Sequence, residues 1–529
     1  MTKVTLFSAT LGEDGKIEPP LGPLYIAAAL EQIGLEVDFR DYQLHEGSDC
    51  YSADTFVRAL EGHEEYVLIS CFVDMLPVVL AACKKLKAAD PGCKIILGGP
   101  GVSGNARELM EAFAWVDGIV RGEGEKTIQA FFGIDVLATL VSDPVAGLVW
   151  RAGDTLVDGS ERPRITDADN LPWPAYHLLD WSRYSSARVI TTRGCPYKCS
   201  FCDVAPLWGR RAVYRDVKRA VDEIVMLRDR FGIDKIAIVD DTFVLNRDRV
   251  RAFCREILDR GIKIEWGCFG RINLMNEDLV SLMSQAGCRA VFYGIDSGAQ
   301  KVLNRTFKEL RAETVLPTLE MSQRYFDRVE ASFIWGYPFE TLEDFEETLA
   351  LASAASQLAP KVNVQMHMLS PLPSSPIYLN FEGTLQRPAP EDSDWLLLPA
   401  VLLDERAAEV AEVIDMAPHL FPGFFNLPTE NRDEKRAYLE KSMRALDFTV
   451  GSSLFDKEVL ALMEAGNRLT EERLLQGAED DADRIGIGLA LGLFRRTRRR
   501  NRKAASTVDS AARGPSMVRQ RNDLQQVTS

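Results

Sequence analysis

Apolar and polar positions alternate along the first 130 residues in a way that separates short extended runs from longer amphipathic ones. Extended, β-rich runs fall at 4–8, 36–41, 66–71, 94–97 and 116–120, with helical patterns at 21–33, 53–60 and 76–88. A further helix opens after Arg121-Gly122-Glu123-Gly124-Glu125. The run 66–71 is apolar on both faces, as a central parallel strand covered by helices on each side must be. Five strands interleaved with helices predict an α/β fold with a doubly wound parallel sheet over 1–131. Its ligand site should lie beyond the carboxyl ends of the strands, where 9–12, 71–75 and 98–101 fall.

The pattern breaks over 132–187. A hairpin is expected around Ala152-Gly153-Asp154, and Leu171-Pro172-Trp173-Pro174 rules out regular helix, so this stretch reads as a structured connector. Alternation resumes with strands at 188–191, 236–239, 264–268, 290–293, 331–335 and 363–367, separated by helices that include 217–231, 247–260, 277–286 and 342–356. Six strand–helix units over 188–384 predict a partial (β/α)6 barrel with its active site at the strands' C-terminal ends. Residues 385–494 read as mainly helical. Their aromatic run His419-Leu420-Phe421-Pro422-Gly423-Phe424-Phe425 is expected either to roof a substrate pocket or to pack against the barrel. The basic tail 495–529 is expected to be disordered, and the apolar stretch before it, 485–494, is too short to span a bilayer.

Charge and cysteine usage narrow the function. Sixty-two Lys and Arg against 78 Asp and Glu give −16, the wrong sign for a general nucleic-acid binder. No apolar run reaches the ~20 residues of a membrane span, and Met1-Thr2-Lys3-Val4 runs straight into a strand with no room for a signal peptide. Ten cysteines in 529 residues are too few for a disulfide scaffold, so a reducing, cytoplasmic setting is expected. Three of them are clustered. Cys195-Pro196-Tyr197-Lys198-Cys199-Ser200-Phe201-Cys202 is a C-x3-C-x2-C run placed directly after the first barrel strand. Three thiolates this close can wrap one [4Fe–4S] cube, each binding one iron and leaving the fourth open. Structural zinc wants four ligands, commonly in two separated pairs, and here Cys254 and His177 are too distant in the chain to complete a set. Cys50, Cys71, Cys83, Cys93, Cys254, Cys268 and Cys288 have no close spacing and read as small hydrophobes.

The run Arg193-Gly194-Cys195 through Cys202, after a barrel's first strand, resembles the signature of radical S-adenosylmethionine (SAM) enzymes. The likeness continues through Asp240-Asp241-Thr242-Phe243 after the second strand, Gly270-Arg271-Ile272 after the third and Gly294-Ile295-Asp296-Ser297-Gly298 after the fourth. Phe333-Ile334-Trp335-Gly336-Tyr337-Pro338-Phe339-Glu340 on the fifth and Leu369-Ser370-Pro371-Leu372-Pro373 after the sixth complete it. The preceding domain is similar to the cobalamin-binding domain fused to such barrels, through Pro19-Pro20-Leu21-Gly22-Pro23-Leu24, Gly98-Gly99-Pro100-Gly101 and the Arg121–Glu125 motif, so the resemblance covers about residues 1–380.

The resemblance implies that Cys195, Cys199 and Cys202 ligate a cluster whose open iron chelates SAM. It places Phe201, Arg271, Asp296, Ser297, Ile334 and Gly336 around SAM, with Asp240 and Asp241 as candidates for proton transfer or substrate binding. For cobalamin it points to Phe72, Asp74, Gly98, Gly99, Gly101 and Glu123. His45 departs from the spacing of a cobalt-ligating histidine and reads as a loop residue. The activity implied is methyl transfer from SAM by way of methylcobalamin to an unactivated carbon of a small-molecule or peptide substrate. The alternative is cyclisation, ring rearrangement or oxidation by the same cofactors. Either requires an external one-electron donor, flavodoxin- or ferredoxin-like.

Overall fold

The computed structural model describes residues 3–10, 17–45, 51–133, 142–358, 360–388 and 408–446. The expected loop residues Leu11 and Gly12, Cys50, the apolar stretch 485–494 and the basic tail lie outside the described residues. Strands β1 (Lys3–Ala9), β2 (Glu36–Asp41), β3 (Tyr66–Cys71), β4 (Lys94–Gly98) and β5 (Gly118–Val120) form a parallel sheet in the order β2-β1-β3-β4-β5. The hairpin expected in the connector is present as β6 (Leu148–Ala152) and β7 (Thr155–Asp158), and it extends this sheet by pairing antiparallel with β5. The physical reason lies in one pair: Trp150 crosses opposite Gly118, where a Cβ would stand 2.7 Å from the indole, and packs on Phe131 with ring centroids 5.2 Å apart.

A second sheet follows. β8 (Ala187–Val189) leads into two short antiparallel partners, β9 (Thr192–Arg193) and β10 (Val213–Tyr214), whose connection carries the cysteine run. Beyond them β11 (Lys235–Ile238), β12 (Glu265–Gly270), β13 (Cys288–Asp296), β14 (Arg328–Trp335) and β15 (Val362–Met368) join β8 in the all-parallel order β15-β14-β13-β12-β11-β8. This is the six-stranded partial barrel expected from the alternation. Its helices begin where the sequence supplies caps: Asp216 accepts from Arg219 N ahead of Val217–Phe231, Asn246 accepts from the amides of Asp248 and Arg249, and Thr341 with Asp344 forms a capping box on Leu342–Ser356. Alternate residues of the strands, including Trp266, Cys268, Val291, Tyr293, Phe333 and Trp335, are buried against those helices.

The C-terminal segment does not pack as the sequence suggested. Helix Ala408–Met416 lies on Leu76–Ala89, and the side chains of Leu420, Phe421, Phe424 and Phe425 join the core of the N-terminal sheet, while the backbone of the same run touches the segments after the sixth barrel strand, His419 O accepting from Tyr378 Oη at 3.0 Å and Gly423 O from Ser370 Oγ at 3.3 Å. Phe421 stands 6.0 Å from Phe113, so the run answers an apolar face of the first sheet that local periodicity cannot reveal. Leu427 then joins a small cluster with Tyr337, Leu369 and Ile377 at the end of the fifth barrel strand.

Candidate functional site

The cysteine run is held from three sides. At Gly194, φ is +93°, and a Cβ there would run into the Arg211 carbonyl, so only glycine lets the chain turn out of β9. Gly194 N donates to Asp241 Oδ2 at 2.7 Å. Asp240, fully buried one residue earlier, accepts from Thr191 N at 2.5 Å and Thr191 Oγ1 at 2.6 Å. Both carboxylates are committed to the backbone that launches the loop. Ser200 closes it, its N–H donating to Thr306 O at 2.9 Å and its carbonyl accepting from Ile377 N at 2.8 Å.

The three thiols are free and partly exposed. Cys195 Sγ is 3.7 Å from Thr242 Oγ1, and Cys199 Sγ is 4.0 Å from both Arg271 Nη1 and Phe307 O. Burial pushes the Cys202 thiol up to about 12 and raises Cys199 as well, with Lys308 and Arg271 opposing at the latter. Thiolates in this setting need positive charge from a metal to persist. Among the described residues no three His, Cys, Asp or Glu side chains gather as a single-ion site. A cube that gives each thiolate its own iron asks for no such convergence.

Around this loop lie the strand ends. Arg271, after β12, is buried with its guanidinium 3.6 Å over the Tyr197 ring and Nε on Asn273 Oδ1, while Nη2 has no hydrogen-bond partner. Asp296 ends β13 at a register shift with φ +70°, a left-handed conformation uncommon outside glycine, and pairs with Lys308 Nζ at 2.5 Å. Phe201 lies between Lys308, 5.8 Å from its ring, and Tyr337, whose ring centroid is 6.2 Å away. Ile334 is half-buried on β14, and Gly336 follows that strand with φ +85°. These five predicted residues share one region with the cysteines. Ser297 does not open onto it: fully buried, it pairs with Thr348 Oγ1 at 2.8 Å and accepts from Ala299 N. Lys308, Tyr197 and Tyr337 were not among the expected SAM contacts: Tyr197 lies inside the cysteine run and Tyr337 inside the fifth-strand motif at positions that neither motif marks, and Lys308 sits in a loop with no motif spacing. The buried Thr192 Oγ1, Ser200 Oγ, Arg271 Nη2 and Tyr337 Oη, all in or beside this region, lack hydrogen-bond partners. Such orphaned donors fit a polar, charged group bound here.

A cavity of about 690 Å³ separates the strand ends of the first sheet from the start of the second. Phe72, Asp74, Gly98, Gly99 and Glu123 line it on one side, with Ile190, Arg193 and Val239 on the other. Gly22 and Gly122 also line it, and a Cβ at either would meet nothing within 4 Å, so the wall is cut back as a bulky ligand requires. Gly101 is absent from the lining: a Cβ there would stand 2.6 Å from Phe72 C, so this glycine serves the packing of the turn on β3. Gly99 has both roles, since its φ is +95° and a Cβ would press on Cys71 O at 2.6 Å. Glu123 is held by Arg193 Nη1 at 3.0 Å and by Ile165 N at 2.7 Å, and Glu125 takes Arg193 Nη2 at 2.7 Å. His45 lies off the lining, stacked on Tyr42 with centroids 6.1 Å apart.

A family model described as the radical SAM superfamily matches residues 189–352, and one described as the B12 binding domain matches residues 8–132. The chain is similar to an uncharacterized methyltransferase of Pyrococcus horikoshii, 28% identical over 346 residues, which are 64% of this chain and 74% of the relative. It is 26% identical over 465 residues to the anaerobic magnesium-protoporphyrin IX monomethyl ester cyclase of Cereibacter sphaeroides, covering 83% of this chain and 73% of that one. Among solved structures, the cobalamin-dependent S-adenosylmethionine radical enzyme OxsB, with aqua-cobalamin and S-adenosylmethionine bound, aligns with a TM-score of 0.63 and 15% identity over 98% of this chain and 82% of its own. At that identity the likeness is one of fold.

Proposed function

Because the chain belongs to the radical SAM superfamily and carries a B12-binding domain ahead of its barrel, we propose that it is a cobalamin-dependent methyltransferase acting on an unactivated carbon of a small-molecule or peptide substrate. The domains are taken as 1–131 for cobalamin and 188–384 for the radical SAM barrel, joined by 132–187, with 385–494 as a C-terminal region and 495–529 as a tail. When bound, the cluster with SAM supplies a radical strong enough to take hydrogen from such a carbon, and cobalamin supplies the methyl group.

The chain's own residues have separable parts in this. Cys195, Cys199 and Cys202 hold three irons. Arg271, stacked on Tyr197 with Nη2 open, receives the carboxylate of SAM, where a planar fork of donors is best matched. Phe201 and Ile334 offer apolar surface to the adenine, Gly336 keeps the fifth strand's end clear, and Asp296, oriented by Lys308, takes the ribose. Ser297 fixes the turn behind Asp296, and Asp240 and Asp241 hold the cysteine loop rather than moving protons. Phe72, Asp74, Gly98 and Gly99 face cobalamin from the first sheet, while Glu123 acts through Arg193.

The observation that carries this reading is the cavity. One wall is built from the turns of the B12-binding domain and the other from Ile190 and Arg193, which lead into the cysteine run. A ligand filling it would meet the barrel at the start of the cluster loop. The radical chemistry calls for an external one-electron donor, flavodoxin- or ferredoxin-like, in a reducing, cytoplasmic setting that suits the free thiols; among the described residues no helix is long and apolar enough to cross a membrane. The test is anaerobic reconstitution with iron, sulfide and cobalamin, followed by methyl-labelled SAM and candidate substrates. Label in product, with S-adenosylhomocysteine and 5′-deoxyadenosine formed together, is expected. The cyclase relative spans more of this chain than the methyltransferase relative does, which favours cyclisation without methyl transfer as the second reading. That reading expects 5′-deoxyadenosine without S-adenosylhomocysteine.

A further inference from the structure

Phe307 is one of the most exposed large apolar residues among those described, at 59%. It stands in a left-handed conformation, φ +54°, as does Glu309 two residues on at +53°. Two non-glycine residues in that region within three positions hold the 306–309 turn in a shape the chain would not adopt unaided. The turn does two things at once. Its backbone faces the cysteine loop: Thr306 O accepts from Ser200 N at 2.9 Å, and Phe307 O lies 4.0 Å from Cys199 Sγ. Its ring faces solvent. A single residue therefore leads from the second cysteine to the surface.

The surroundings have a consistent character. Leu379, also 59% exposed, lies on the helix Pro376–Phe381, whose Ile377 N–H donates to Ser200 O, so a second exposed apolar residue stands two positions from a contact to the same loop. Lys198, inside the cysteine run, and Arg305, just before the turn, are exposed and form no ion pair among the described residues. Arg305 is braced 4.2 Å over the Phe339 ring, which fixes where its charge sits. Glu309 contributes one carboxylate at the edge. The chain as a whole carries a surplus of negative charge, −16, so two cations beside exposed apolar side chains give this patch the opposite sign to the net charge.

We propose that Lys198, Arg305, Phe307 and Leu379 form the docking surface for an acidic one-electron carrier protein. This rests on the reading of Cys199 as a cluster ligand, because electron transfer falls steeply with distance and a donor gains most by seating where the cluster loop meets solvent. The transfer itself is one electron from the carrier's reduced centre, with no bond made or broken. A carrier with a negative rim is drawn by Lys198 and Arg305, and the exposed Phe307 ring supplies the apolar anchor that small transient interfaces use. The general negative charge of the chain repels the same carrier from other faces, which gives the orientation its specificity.

The experiment measures binding of an oxidised, acidic flavodoxin to the full chain at low and high salt, with and without reconstituted cluster. It also measures the rate of cluster reduction by reduced flavodoxin and by dithionite. Two variants are used, Lys198→Glu/Arg305→Glu and Phe307→Gly. The second removes the ring while easing the left-handed backbone, so it should not impair folding. Each is expected to raise the flavodoxin Kd about tenfold, the first also removing the salt dependence, while dithionite reduction stays at the wild-type rate. Flavodoxin binding that is unchanged in both variants, or absent in the wild type, overturns the proposal. A chain that takes up no iron–sulfur chromophore overturns the functional reading instead, and binding to the unloaded chain still reports on the surface separately.

Discussion

Asp241 lies at a strand end where catalytic acids often sit, yet its carboxylate takes the amide of Gly194 at the root of the cysteine loop. Burial lifts its titration to about 6, opposed by that same hydrogen bond. A carboxyl group raised in the folded state gives stability that is present below its ordinary value near 4 and lost as pH rises through about 6. Asp241→Asn keeps an acceptor for Gly194 N and removes the charge. The variant is therefore expected to lose less stability than wild type between pH 4 and 7, by at most about 3 kcal/mol, read by urea unfolding across that range. Equal pH profiles would contradict the assignment. Arg193 makes a second residue-scale case. Its guanidinium, 4.8 Å over Tyr25, is shared by Glu123 and Glu125, and all three charged side chains are under 10% exposed. Arg193→Met leaves two carboxylates buried without it and is expected to cost about 3–5 kcal/mol, with Glu125→Gln milder because an amide can still accept.

Elements followed from the sequence to the extent that their signals were local. Both parallel sheets, the helix Val217–Phe231, and the loop that carries Cys195, Cys199 and Cys202 were all legible from periodicity and spacing. What was not legible depends on partners far away in the chain. Trp150 docking on Gly118 moved the hairpin from connector to sheet edge, and the aromatic run ending at Phe425 put its side chains into the core of the first sheet. Lys308 escaped notice because nothing in Asn304-Arg305-Thr306-Phe307-Lys308 announces that it folds back on Asp296. The same holds for Lys435 on the helix Arg432–Leu446. It is fully buried with Glu340, Nζ to Oε2 at 3.2 Å and Nζ to the Glu340 carbonyl at 2.7 Å, while Glu340 accepts from Gly336 N at 2.8 Å. Lys435→Met is expected to destabilise by about 3–5 kcal/mol, and Glu340→Gln in the same chain to restore part of that, since it removes the stranded charge. Strict additivity of the two substitutions in unfolding would contradict this pairing.

At the scale of the whole molecule, the two sheets are joined through contacts that also border the cavity. Arg193 reaches Glu123 and Glu125, Arg188 pairs with Glu18, and Arg215 meets Tyr25 at 3.3 Å. A bulky ligand in the cavity would touch both sheets and stabilise their union by mass action. Cobalamin added to the apo chain is accordingly expected to raise the unfolding midpoint, and Gly98→Trp, which would fill the cavity from the first sheet, to abolish that rise with little change in the midpoint of the chain alone.

The most direct measurement is 5′-deoxyadenosine formed anaerobically from SAM by the reconstituted, dithionite-reduced chain, compared with the Cys195→Ala/Cys199→Ala/Cys202→Ala variant prepared identically. Steady production by wild type and none by the variant is expected, along with loss of bound iron and sulfide in the variant. Equal production, or equal iron and sulfide content in the two, would contradict it.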